Sequence, residues 1–275
     1  PPVLPWATLI VFRRDGDRDF LRRNFDRYVK NASFWEENRC DRGLFYYSAQ
    51  QHPEAEDYLH PRWESGWDNS PRWDEFPIVD LFAIDLNCYM VLFYRAMAEM
   101  AEILGEKRQD WDAKAKALAG RIEATLFDET RNTYADRNRK NEKFLTVLSP
   151  ASFMPLYIGT ASQERAAAME ALAADPKKFY PGMPTVTYDC PAFSKDYWRG
   201  QTWLNVAFFA VKGLADYGFC KTAGEIREYI LSMAYDNLPR GIFENYDSVN
   251  RRGLFNNSFS WSAAFLIEFI LSDFQ

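Results

Sequence analysis

The chain has 275 residues, 47% of them hydrophobic and 26% charged, which is ordinary globular material long enough for one large domain with a substantial core. A net charge of -6 argues against nucleic acid or an anionic membrane as the partner, and no apolar run reaches the length of a bilayer span. Aromatic residues reach 17%, with nine Trp and fifteen Tyr, a surplus that suits a pocket for flat apolar faces edged with hydroxyls.

Residues 1–14 read as a buried helix, because Val3, Leu4, Trp6, Ala7, Leu9, Ile10 and Val11 leave almost no polar face. The chain lacks an initiating Met, so the natural N-terminus is expected to lie upstream, and the favoured compartment is the cytoplasm. A second helix is predicted over 17–37, with an apolar stripe through Phe20, Leu21, Phe25, Tyr28, Val29 and Ala32. Residues 43–62 read as a long loop holding both histidines, His52 and His60; a surface loop is the better reading of that pair than a metal site.

A polar, aromatic-walled segment at 64–73 separates this region from a strong helix over 80–104, apolar on nearly all sides from Leu81 to Phe93 except at Asp85 and Asn87. From 107 to 126 the pattern narrows to one stripe: Trp111, Ala115, Leu118, Ile122 and Leu126. Residues 128–143 suggest a turn or short hairpin. Ser149-Pro150 then offers an N-cap with Pro at the first helical position, opening a short helix that Gly159 ends. An Ala-rich helix at 161–174 leads to a proline-punctuated loop at 175–197. Two more helices follow, apolar all round at 198–217 and striped at 220–238, and Ser258 or Ser260 caps a last one ending near Leu271.

Helices buried on all sides thus alternate with helices apolar along one stripe, as an inner ring wrapped by an outer ring requires. The prediction is an all-α (α/α)6 toroid, incomplete, with about nine helices where a full barrel needs about twelve. The chain therefore reads as the C-terminal three-quarters of one such domain over residues 1–275, which a homo-oligomer or a completing chain segment would close. The four cysteines, Cys40, Cys88, Cys190 and Cys220, form no CxxC, so neither a zinc site nor a disulfide framework is suggested, and two histidines give a Ser-His-Asp mechanism little to draw on.

The chemistry concentrates at Glu64-Ser65-Gly66-Trp67-Asp68-Asn69-Ser70-Pro71-Arg72-Trp73. Trp63, Trp67 and Trp73 would surround the Asp68 carboxyl with indole surface, raising its pKa as a proton donor near neutral pH requires. Arg72 is expected to point at Glu64 or at a ligand hydroxyl. The bland alternative makes Asp68 an Asx-turn residue. This ten-residue run closely resembles the general-acid loop of glycoside hydrolase family 63 and of its relatives the trehalases, which places Asp68 where that family has its proton donor.

A second carboxylate is offered by Gly241-Ile242-Phe243-Glu244-Asn245-Tyr246-Asp247, which resembles the family's general-base segment; Glu244 takes the base position and Asp247 competes with it. Tyr197-Trp198-Arg199-Gly200-Gln201-Thr202-Trp203 resembles the family's sugar-subsite run, with Gln201 replacing the more usual Pro, a change that loosens the helix entrance or adds a donor. The segment 255–261 resembles the family's closing run, with Trp261 as a pocket wall.

The resemblance implies inverting hydrolysis of an α-glucosidic or α-mannosidic bond, with no metal or organic cofactor, Asp68 as general acid and Glu244 as general base. It implies contacts to sugar from Trp67, Arg72, Tyr197, Trp198, Arg199, Gly200, Trp203, Tyr246 and Trp261. An anionic aglycone such as glycerate would need a basic clamp, to which Arg72 and Arg199 could contribute. A trehalase is the close alternative, a truncated sugar-binding scaffold without turnover a more distant one, and a terpene-cyclase-like protein is opposed by the lack of a DDxxD cluster.

Overall fold

Two helices that are apolar on nearly every side, one in each of two compact units, carry the fold. The computed structural model describes residues 1–48, 61–107 and 109–274. Unit 1 comprises Pro1–Gly66, Pro77–Leu126 and Asp136–Lys143; unit 2 comprises Trp67–Phe76, Phe127–Ala135 and Phe144–Gln275. The histidine pair, His52 and His60, lies outside the described residues.

Unit 1 contains α1 (Leu4–Asp15), α2 (Arg18–Asn38), the short α3 (Pro61–Ser65), α4 (Ile84–Leu104) and α5 (Trp111–Thr125). The α4 helix is the hub, packing against α5, α1 and α2. Its Phe93 and Met97 are fully enclosed, and burial of such side chains stabilises by about 1.5–3 kcal/mol each. Asn87 also lies inside, but its amide is satisfied: Nδ2 donates to the Phe45 and Ala83 carbonyls at 3.0 and 2.8 Å, and Oδ1 accepts the Phe45 N–H at 2.8 Å. The α5 stripe behaves as its sequence requires, with Trp111, Ala115, Leu118 and Ile122 buried and its charged residues outward. Asp17 and Asp110 cap α2 and α5, accepting the Phe20 and Ala113 N–H groups at 2.9 Å in each case. Both α1 and α4 end at a left-handed glycine, Gly16 at φ 70° and Gly105 at φ 73°.

Unit 2 contains the short α6 (Met154–Tyr157), then α7 (Gln163–Ala174), α8 (Leu204–Asp216), α9 (Cys220–Asn237) and α10 (Ser260–Leu271). Here α8 is the hub, packed on α6, α9, α10 and the 3-10 turn Pro150–Phe153. The α9 stripe, Ile226, Ile230, Met233 and Ala234, is buried. Strands occur only as two-residue antiparallel pairs among the described residues, such as Asn245–Tyr246 with Gly253–Leu254 and Phe127–Asp128 with Thr133–Tyr134. Among those residues, none of the helices is long and apolar enough to cross a membrane, and all four cysteines are free thiols.

The described residues form ten α-helices, in keeping with the expected nine or so; the additional one, α3, is too short to show a period. Other expectations need correction. The first helix is not buried all round: Leu4, Ile10 and Val11 are exposed, since only the face with Pro5, Thr8 and Leu9 is covered. The helix predicted from 80 starts at Ile84, because Ile78–Asp80 forms a 3-10 turn and Leu81–Phe82 pairs with Arg137–Asn138. Ser149 makes no side-chain cap, and α10 starts after Phe259 with no serine capping it. Residues 198–203 are not helical, because α8 begins only at Leu204.

Candidate active site

The acid-bearing loop lies in unit 2 and is closed by its own polar groups. The Trp67 carbonyl accepts the Trp73 indole N–H at 2.8 Å and the Ser70 N–H at 3.0 Å. Ser70 Oγ in turn accepts the Arg72 N–H at 3.3 Å, opening the 3-10 turn Pro71–Trp73. This fastening holds Asp68 half-buried at the loop's shoulder. Burial raises its carboxyl above the ordinary aspartate range; its own backbone N–H opposes the rise, and the negative charge of Glu244 adds to it.

Two of the three expected indoles are packed inside, Trp67 and Trp73, whereas Trp63 belongs to unit 1 and is exposed at 59%. The Arg72 guanidinium lies over both buried rings, 4.7 Å from the Trp67 centroid and 4.5 Å from that of Trp73. With 1% of the residue exposed, Arg72 braces the loop rather than offering a surface to solutes.

The second wall is the segment 194–203. Its turn is closed by the Ser194 N–H on the Arg199 carbonyl at 2.8 Å and the Arg199 N–H on the Asp196 carbonyl at 3.0 Å. Tyr197 sits at its tip in left-handed backbone, φ 54°, a conformation that non-glycine residues seldom adopt. Trp198 and Trp203 are buried and stack face to face, and the Tyr197 ring meets Trp203 and Phe255 edge-on at 5.2 and 5.1 Å. Gly200 is required by space: a Cβ there would collide with the Ser194 carbonyl and the Phe193 ring. Gln201, in place of the family's Pro, is buried and donates its amide N–H to the Lys195 carbonyl.

Segment 242–247 brings the other carboxylate. Thr202 and Tyr246 exchange both backbone hydrogen bonds, at 2.8 and 3.0 Å, so the two segments are laced together. Glu244, two residues before that bridge, stands half-exposed and accepts the Tyr197 hydroxyl at 2.9 Å on Oε1. Burial, that hydrogen bond, and the charges of Glu244 and Asp68 all keep the Tyr197 hydroxyl protonated, so it acts as the donor.

Asp247, the competing base candidate, is already committed. Its Oδ1 accepts the Val249 and Asn250 N–H groups at 2.9 Å each, while Oδ2 pairs with Lys195 at 3.0 Å. Burial pushes its carboxyl up, but the Asn250 and Val249 amides and the Lys195 ammonium outweigh that and hold it below the usual range. Its work is to shape the turn after Tyr246.

The structure thus brings together Asp68, Glu244, Tyr197 and Arg199 with part of each side chain accessible, and leaves Trp261 exposed at 42% and 6.0 Å from Trp203. Trp67, Trp198, Gly200, Trp203 and Tyr246 stand behind them as support; the Tyr246 hydroxyl accepts the Phe243 N–H at 3.2 Å. Arg199 spans Asp74, at 2.6 Å, and the Asn69 carbonyl, at 3.0 Å, so its charge is largely answered within the protein. One residue to which sequence reasoning gives no separate role is central: Asn69 Oδ1 accepts the Trp198 N–H at 2.9 Å, and Nδ2 donates to Asp196 at 3.0 Å. The only sequence signal for it is its place next to Asp68. Among the described residues, no cluster of three or more His, Cys, Asp or Glu side chains could hold a metal ion.

With this geometry in hand, the likeness to known proteins has a clear reading. Residues 1–262 match the family model described as the mannosylglycerate hydrolase MGH1-like glycoside hydrolase domain. The mannosylglycerate hydrolase of Rubrobacter radiotolerans is 27% identical over 339 aligned positions, covering 98% of this chain and 73% of that protein. A periplasmic trehalase of Salmonella enteritidis is 29% identical over 195 positions, 66% of this chain and 34% of the trehalase. The crystal structure of the glycoside hydrolase family 63 mannosylglycerate hydrolase from Thermus thermophilus in complex with glucose superposes with a TM-score of 0.81. That superposition covers 98% of this chain and 75% of the solved one, and at 24% identity it establishes the shared helical-barrel fold.

Proposed function

We propose that this chain, which belongs to the mannosylglycerate hydrolase MGH1-like family within glycoside hydrolase family 63 and is therefore a glycosidase, cleaves its α-glycosidic bond with inversion. Asp68 is the general acid and Glu244 the general base. Asp68 gives its proton to the glycosidic oxygen as the bond to the anomeric carbon breaks. Glu244 takes a proton from a water attacking the opposite face, and the new C–O bond carries inverted configuration. Such a reaction passes through an oxocarbenium-like state and uses carboxyls about 6.5–9.5 Å apart, leaving room for the water.

The observation that carries this reading is the different setting of the two carboxyls. Burial and the Glu244 charge both raise the Asp68 carboxyl above its ordinary range, as a proton donor needs, while Glu244 stands half-exposed with Oε1 accepting the Tyr197 hydroxyl at 2.9 Å. Asp247, engaged by Lys195 and two backbone amides, leaves Glu244 as the base.

The relatives' printed name, mannosylglycerate hydrolase, supports a glycerate glycoside as substrate, and their matched lengths support reading residues 1–275 as about three-quarters of one such catalytic domain. With Arg199 held by Asp74, a carboxylate on the aglycone would have to compete with that ion pair. The test is a comparison of kcat/KM for mannosylglycerate, glucosylglycerate and trehalose. At least tenfold preference for a glycerate glycoside is expected; preference for trehalose would favour the trehalase-like reading, and inactivity on all three would overturn the proposal.

A further inference from the structure

Four consecutive residues, Asp196 to Arg199, divide their contacts between the two carboxyl-bearing segments. Asp196 accepts from Asn69 Nδ2 at 3.0 Å, the Trp198 N–H donates to Asn69 Oδ1 at 2.9 Å, and Arg199 Nη1 donates to the Asn69 carbonyl at 3.0 Å. Both polar atoms of the Asn69 side chain are thereby engaged, and its neighbour in the chain is Asp68. Between them, Tyr197 alone turns to the other segment and donates to Glu244 at 2.9 Å. The left-handed backbone at Tyr197, φ 54°, is what allows one residue to depart from the direction of its neighbours.

The turn itself is anchored on three sides. The Gly200 N–H donates to Thr185 Oγ1 at 2.9 Å, Ser248 Oγ donates to the Gly200 carbonyl at 2.7 Å, and Thr202 is bridged to Tyr246. A segment so fixed at its base and gripping a different partner at each side of its tip behaves as a spacer.

We propose that the Ser194–Gly200 turn sets the relative placement of Asp68 and Glu244, with Asn69 and Asp196 as positioning residues for the acid and Tyr197 as the positioning residue for the base. This rests on the reading of Asp68 and Glu244 as the catalytic pair. The turn neither donates nor accepts a proton in the reaction; it holds two groups whose misplacement by an ångström can lower the rate about a hundredfold.

The Asn69–Asp196 pair permits a polarity exchange. In Asn69→Asp the donor is lost and two carboxylates meet, so kcat should fall about 30- to 100-fold with KM changed less than about threefold. In the double variant Asn69→Asp/Asp196→Asn the amide and the carboxylate trade places. Position 196 then donates, position 69 still accepts the Trp198 N–H, and kcat should return to within about fivefold of the parent. Tyr197→Phe, which keeps the ring packing, should lower kcat at least about tenfold at constant KM, whereas a sugar contact would raise KM. Melting temperatures measured alongside separate loss of fold from loss of placement.

A double variant no better than Asn69→Asp, or a Tyr197→Phe enzyme with parental kcat, would overturn the spacer. Retained activity in Asp68→Asn or Glu244→Gln would instead overturn the catalytic assignment beneath it. If those two variants are inactive while the exchange fails to rescue, only the spacer falls.

Discussion

Trp198 and Trp203 lie face to face, ring centroids 3.8 Å apart and planes 12° from parallel, and Trp67 closes on Trp198 at 4.9 Å. Three indoles from two segments therefore form one buried cluster behind the accessible carboxyls, holding the acid loop and the 194–203 segment at fixed spacing. Trp198→Ala would leave a cavity between its neighbours and should destabilise by about 3–5 kcal/mol, with Trp198→Phe losing about half as much. Equilibrium denaturation with urea checks the pair.

Gly200 packs where no side chain fits, against the Ser194 carbonyl and the Phe193 ring at the base of the same turn. Gly200→Ala must push that turn open, so it should cost about 2–4 kcal/mol and lower kcat with it. A stability loss with unchanged kcat would mean that the turn can shift without disturbing the carboxyls.

Asp247 offers a prediction in pH. Its folded pKa lies below the ordinary value of 3.8, so its contribution to stability is present in full above that value and is lost as pH falls through the folded one. Asp247→Asn keeps an oxygen for the Val249 and Asn250 amides but loses the charge that pairs with Lys195, at an expected cost of about 1–3 kcal/mol at pH 7. As pH falls through the folded pKa of Asp247, the gap between variant and parent should narrow. Melting curves from pH 2 to 7 test this, and a gap that does not shrink towards the acid end would contradict it.

As the proposed general acid, Asp68 must carry a proton to act, and its pKa is raised by burial and by Glu244. The alkaline limb of kcat/KM should therefore lie above the ordinary aspartate range, and opening the site to water with Trp67→Ala should move that limb to lower pH. A limb that stays in place would mean that the indole wall does not govern the acid.

The parts of this protein that are legible in its sequence are those governed by local periodicity. The stripe of α5 and the all-round apolarity of α4 and α8 are properties of each helix alone, and each is realised in the packing. The same reasoning misjudges α1, because apolarity says how much of Leu4, Ile10 and Val11 could be covered and nothing about which neighbours cover them. It also runs helix through 198–203, where Trp198, Arg199 and Thr202 are held by partners far along the chain rather than by their own turn. The Asn69 clasp joins residues 129 apart. No pattern in sequence marks such a contact, so Asp68 and Glu244 could be nominated from their motifs while the turn that contacts both of their segments could not.

The most direct test is to follow hydrolysis of an α-linked glycerate glycoside by proton NMR in the first minutes, before mutarotation, with the parent, Asp68→Asn and Glu244→Gln. The account predicts that the β-anomer appears first and that each variant loses at least about a thousandfold in kcat, about 4 kcal/mol of transition-state stabilisation. Initial release of the α-anomer, or substantial turnover by either variant, would contradict it.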